Sequence, residues 1–164
     1  MTDNHQRFLS HLRDSKSPVW VAAYWLNMRG HSVTIPPSSE AESHAHWRAH
    51  ADRGDLFIDE DQKRIEVKCL SVNFTSPKDW PFGNNFIVCA KHSFRNASPQ
   101  PLAYMILSQD WKTAAVADVL DRNLWHVEKR IDRRYQNVSQ EFYMAPLDTI
   151  KFLSLDSIPA RSTP

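Results

Sequence analysis

The chain has 164 residues, 41% of them apolar, with ten prolines against three glycines, which fits one globular domain with a real core and excludes a low-complexity chain. Twenty Lys and Arg against nineteen Asp and Glu give +1, so no global positive field advertises a nucleic-acid partner; phosphate binding must come from a local patch or from bound metal ions. No apolar run approaches ~18 residues, the charged start lacks a signal-peptide core, and two cysteines are too few for a disulfide scaffold, so the expectation is a cytoplasmic protein with no membrane partner.

Residues 1–16 are polar with a weak stripe of Phe8, Leu9 and Leu12, compatible with a short first helix. Ser17-Pro18 opens a stronger one, since serine caps orphan amides and proline suits the first helical position. From Val19 to Met28 apolar residues occupy nearly the whole circumference, which predicts a mostly buried helix with Trp20 and Trp25 in the core; Gly30 stands where a left-handed cap belongs. HSVTI (31–35) reads as a short strand stopped by Pro36-Pro37. Residues 38–53 lack clean periodicity and form a loop or a short polar helix.

Residues 54–72 read as a β-hairpin, GDLFID and RIEVKCLSV around EDQK. TSPKDWPFGNN (75–85) is a loop, FIVCAKHSF (86–94) a strand, RNASPQP a connection and LAYMILSQ (102–109) another strand. Residues 113–120 are either a hairpin partner or a short helix. Residues 121–137 are charged and mixed, the stretch from Glu141 to Leu155 reads as a strand followed by a short element, and the last residues form a disordered tail. With no repeat and no interior linker, residues 1–158 make one domain and 159–164 the tail.

The hairpin carries the chemistry. A two-residue loop at Glu60-Asp61, or a four-residue loop closed by Ile58 and Lys63, gives one register, in which Asp55 falls opposite Glu66. Directly opposed residues on antiparallel strands share a face, and Lys68, two residues on, points the same way. Ile65, Val67 and Cys69 then face the core, where Cys69 and Cys89 are buried thiols. Two neighbouring carboxylates repel unless one is protonated or a cation sits between them. Mg²⁺ favours hard oxygen ligands, and two carboxylates with a main-chain carbonyl make a plausible set for it. A lysine beside them has a use: it orients or deprotonates a water and stabilises charge developing on a phosphate under attack.

Gly54-Asp55, an apolar strand, a turn and Glu66-Val67-Lys68 together resemble the PD-(D/E)XK nuclease motif. The order of a helix (18–29) and a strand (31–35) before the motif extends the resemblance over residues 17–110, and the C-terminal third matches nothing in it. The resemblance implies an α/β fold with a mixed central β-sheet flanked by helices, restriction-endonuclease-like, and Mg²⁺-dependent hydrolysis of DNA with Mn²⁺ as a substitute. It assigns Asp55, Glu66 and the Val67 carbonyl to the metal and makes Lys68 the catalytic lysine. The chain departs from the pattern in two places. Glycine stands before the aspartate where the family name has proline, and the first helix lacks the acidic residue many members carry, with Asp14, Glu40 or Glu42 as substitutes.

Weaker signals have plain alternatives. His44, His46 and His50 have partial zinc-ligand spacing, but a polar loop lining a groove explains them more simply; Arg48 or His50 would then touch phosphate. Lys91 and His92 end the strand 86–94 and are either phosphate contacts or a solvated strand end. Arg122, Lys129, Arg130, Arg133 and Arg134 give 121–135 a positive excess, readable as a phosphate-contacting surface or as a solvated helix face with internal ion pairs. Trp47, Trp80 and Trp111 sit in loop-like stretches, where packing competes with base stacking. Near-neutral charge points to a modest footprint, a homodimer or recruitment by a protein partner. Two other classes remain: a catalytically inactive nuclease-fold protein that binds nucleic acid or protein, and a small α/β interaction protein with incidental hairpin charges.

Overall fold

The computed structural model describes residues 16–37, 54–59, 63–132 and 138–156. The expected first helix, the loop 38–53 and the tail lie outside them, as do Asp14, Glu40, Glu42, His44, His46, Trp47, Arg48, His50, Arg133 and Arg134.

The chain builds a mixed α/β structure on a six-stranded sheet. Helix α1 (Lys16–Met28) precedes the short strand β1 (Val33–Thr34) and the hairpin β2 (Leu56–Ile58) and β3 (Lys63–Cys69). Strand β4 (Asn85–Ala90) and the short helix α2 (Lys91–Asn96) lead to β5 (Ala103–Leu107) and β6 (Thr113–Asp118). The chain closes with β7 (His126–Asp132), β8 (Val138–Pro146) and β9 (Lys151–Ser154). The main sheet runs β1-β2-β3-β5-β6-β9, with β3 and β5 parallel and the other pairs antiparallel. Strands β4, β8 and β7 form a second, antiparallel sheet.

Alternation along the central strands divides the core. Ile65, Val67, Met105 and Leu107 pack toward α1, which supplies Val19, Ala22, Ala23 and Leu26. Tyr104 and Ile106 point the other way, into a cluster with Val88, Cys89, Tyr143 and Ala145 of the second sheet and Phe94 of α2. A helix therefore covers one face of the main sheet. The other face is covered chiefly by the second sheet, with α2 as a short addition, so the expected flanking by helices holds on one side only.

Local chemistry accounts for the hits and the misses. Helix α1 ends in a Schellman motif: the Gly30 and His31 amides donate to the Asn27 and Leu26 carbonyls, and Gly30 adopts φ +92°. Its burial is one-sided, because Trp20 is 66% and Tyr24 58% exposed; Trp25 is half-buried, donating to the Ser154 carbonyl at 3.1 Å under the Arg29 guanidinium. Residues 86–94 do not continue as one strand, because the chain turns into α2 at Lys91 and so delivers Phe94 to the core. Residues 113–118 form the hairpin partner, and the charged stretch contributes strand β7 where a helix face was one expectation. Trp80 is buried in the turn-rich loop, 5.0 Å from the Phe74 ring and stacked on Phe86, while Trp111 stays exposed. Cys69 is exposed as well: β2 ends at Leu56 opposite Ile65, and no β2 residue covers the strand that far along. Among the described residues, no helix is long and apolar enough to cross a membrane.

Candidate functional site

The observed register is Ile58 with Lys63, Phe57 with Arg64 and Leu56 with Ile65. It closes a four-residue loop, and its continuation sets Asp55 level with Glu66. Strand β2 has ended there, so the Val67 amide finds no main-chain acceptor on it and donates instead to Asp55 Oδ2 at 2.7 Å. One Asp55 oxygen thus rests against the peptide nitrogen that joins Glu66 to Val67. A hydrogen bond to a charged acceptor contributes ~1.5–3 kcal/mol, so the aspartate also closes the sheet edge.

The Val67 carbonyl lies on the same edge. Arg64 offers its carbonyl and Leu70 its amide to the β5 side, and the edge alternates from residue to residue along a strand. Val67 therefore turns both main-chain groups toward the end of β2. Asp55 and the Val67 carbonyl thus share this edge, while the Glu66 carboxylate, on the neighbouring residue of β3, is paired with Arg64.

Side chains at 64, 66 and 68 line the face of β3 that looks toward the second sheet. Glu66 is register partner to Tyr104, and Lys68 Nζ stands 5.7 Å from the Tyr104 ring centroid while donating to the Val88 carbonyl at 2.9 Å. Arg64, which the sequence reading did not single out, is 8% exposed and donates from Nε to Glu66 Oε1 at 2.5 Å. It also reaches the Pro99 carbonyl at 3.4 Å. The signal was present as strand alternation of Arg64, Glu66 and Lys68, a charged stripe at period two.

Glycine before the aspartate has two reasons. Gly54 adopts φ +124°, a conformation closed to proline, and a Cβ there would meet Arg64 Nε at 2.6 Å. The guanidinium packs into the space a side chain would fill.

Below the stripe lies a neutral floor. Burial pushes the Cys89 thiol up, against a hydrogen bond from Tyr104 and the Lys68 charge, which lower it. Burial likewise pushes the Tyr104 hydroxyl up. Both groups stay protonated at neutral pH, which removes Cys89 as a nucleophile.

The donor set consists of hard oxygens from two carboxylates and a carbonyl, which fits Mg²⁺, an ion that keeps several of its waters. The Arg64 ion pair engages Oε1 of Glu66. Among the described residues, no group of three or more His, Cys, Asp or Glu that could hold a metal ion assembles.

The remaining candidates lie apart from this edge. Lys91 and His92 open α2, and Lys91 Nζ sits 2.7 Å from Glu141 Oε2. Arg130 is paired with Glu128 at 2.9 Å on β7. Arg122 stacks over the Phe94 ring at 4.8 Å. Comparison with family models, with curated proteins and with solved structures finds no match to this chain.

Proposed function

We propose that this protein is a metal-dependent nuclease that hydrolyses phosphodiester bonds in DNA, with Asp55, Glu66 and the Val67 carbonyl holding Mg²⁺ and Lys68 acting on water. The observation that carries this reading is the 2.7 Å contact that draws the Asp55 carboxylate onto the Glu66–Val67 peptide. Further support comes from the order of α1, β1 and the β2–β3 hairpin, followed by a strand parallel to β3, in line with a restriction-endonuclease-like arrangement.

When bound, Mg²⁺ polarises a phosphoryl oxygen and makes water more acidic. The chain's own groups supply the rest. Asp55 and Glu66 concentrate negative charge that attracts the cation, and the Val67 amide keeps Asp55 in place. Lys68, held by the Val88 carbonyl, stands on the strand face that Glu66 shares; from there it would orient the attacking water and offset the charge gained as the new P–O bond forms and the ester P–O bond breaks. Arg64 restrains Glu66 and is a positioning residue.

A second reading, a catalytically inactive relative that binds nucleic acid or protein, is favoured by the Arg64–Glu66 ion pair, which satisfies one acid without a metal. Incubation with duplex, single-stranded and branched DNA in Mg²⁺, Mn²⁺ or EDTA separates the two. The nuclease reading expects metal-dependent cleavage that falls about 10²–10³-fold in Lys68→Ala and at least as far in Asp55→Ala, both variants remaining folded. Cleavage undiminished in both variants overturns the assignment, and binding without cleavage selects the second reading.

A further inference from the structure

Helix α2 is tied at both flanks to the charged face of β3. Before it, the Val88 carbonyl accepts from Lys68; after it, the Pro99 carbonyl accepts from Arg64. Between these anchors opens a cleft of about 200 Å³ lined by Lys91, His92, Arg95, Asn96 and Glu141. Next to the cleft stands Lys129 of β7, the register partner of Glu141 on β8 and on the same sheet face. Lys91, Arg95 and Lys129 all hold the Glu141 carboxyl below its usual range, the Lys91 hydrogen bond most strongly. Three cations thus surround one acid, in a molecule whose formal charge is only +1.

We propose that this cleft is a phosphate subsite for the backbone of a nucleic acid engaged at the Asp55–Glu66 edge of β3. The lining decides the ligand class. Ammonium, guanidinium and amide donors suit phosphate oxygens, and among the described residues no Phe, Tyr or Trp lines the cleft to stack a base, which favours contacts to the backbone. Lys91 lies three residues beyond Val88, whose carbonyl anchors Lys68, so the cleft adjoins the segment that holds the candidate lysine. Glu141 holds Lys91 in place and opposes an incoming phosphate. The inference rests on the nuclease reading for the path of the strand, but its test does not need cleavage.

The experiment is a salt titration of labelled duplex DNA binding to the full chain in EDTA, comparing the unaltered protein, the triple variant Lys91→Ala/Arg95→Ala/Lys129→Ala, and Glu141→Gln. Each phosphate contact contributes ~0.9 to the slope of log K against log salt, so the triple variant loses about 2 to 3 from that slope. Glu141→Gln binds several-fold tighter, an effect of opposite sign that a merely structural role for the cluster would not give. An unchanged slope in the triple variant, no DNA binding by the unaltered protein, or equal binding of an acidic peptide of matched charge overturns the proposal. The expected slopes in a protein that never cleaves DNA in Mg²⁺ uphold the subsite and defeat the hydrolytic reading alone.

Discussion

The two faces of β3 are built from the same seven residues and obey opposite rules. Toward α1, Ile65 and Val67 are buried among apolar side chains and gain stability from area removed from water, on the order of 1.5–3 kcal/mol each. Toward the second sheet, the strand presents Arg64, Glu66 and Lys68 within a layer that elsewhere is aromatic and aliphatic. Charges so placed lose hydration and regain it only through pairing, so the Arg64–Glu66 pair is at best a modest source of stability.

Substitution should separate the faces. Glu66→Ala leaves the Arg64 guanidinium buried without its carboxylate, which costs about 3–5 kcal/mol, and under the proposed function it removes a metal ligand as well. Ile65→Ala, across the same strand, costs about 2–5 kcal/mol by cavity formation and leaves cleavage per folded molecule unchanged. Denaturant melts paired with cleavage rates check both; a Glu66→Ala protein that keeps full activity would erase the distinction between the faces.

A smaller effect is expected at the glycine that admits Arg64. Gly54→Ala strains a φ of +124° and drives a methyl into the guanidinium, for about 1–3 kcal/mol of stability, with cleavage reduced through a displaced Glu66. A thermal melt and the cleavage rate of this variant report the two consequences separately.

The smallest effect lies in the loop that lends Phe74 and Trp80 to the aromatic side. Hydrogen bonds from the Thr75 hydroxyl, and then from the Ser76 and Thr75 amides, hold the Asp79 carboxyl at about 2, below its usual value. A carboxyl depressed in the folded state stabilises above its unfolded value near 4 and loses that contribution as pH falls toward 2. Asp79→Ala should therefore lower the melting temperature slightly at pH 7, and the gap should narrow as pH drops from 4 to 2.

Much of the β3 edge was legible in the sequence, because two- and four-residue loops give the same hairpin register and strand alternation then places Glu66 with Lys68. Arg64 obeyed the same alternation, yet a lone arginine beside a turn carries no mark of burial; its depth follows from packing against Gly54, Glu66 and the Pro99 carbonyl. The second sheet was hidden because β7 alternates charged residues with exposed Val127 and Ile131, a pattern that fits a solvated helix as readily as a strand. Six residues of α2 are too few to show a period, so Lys91 and His92 read as a strand end. The exposure of Cys69 depended on where β2 stops, which alternation does not encode.

The claim that Asp55 and Glu66 share one cation is tested most directly by calorimetric titration of Mn²⁺ into the metal-free protein. The account predicts a single site in the unaltered chain, lost in Asp55→Ala and in Glu66→Gln, with Lys68→Ala still binding the ion. No Mn²⁺ uptake by the folded protein, or uptake unaffected by either acid substitution, would contradict it.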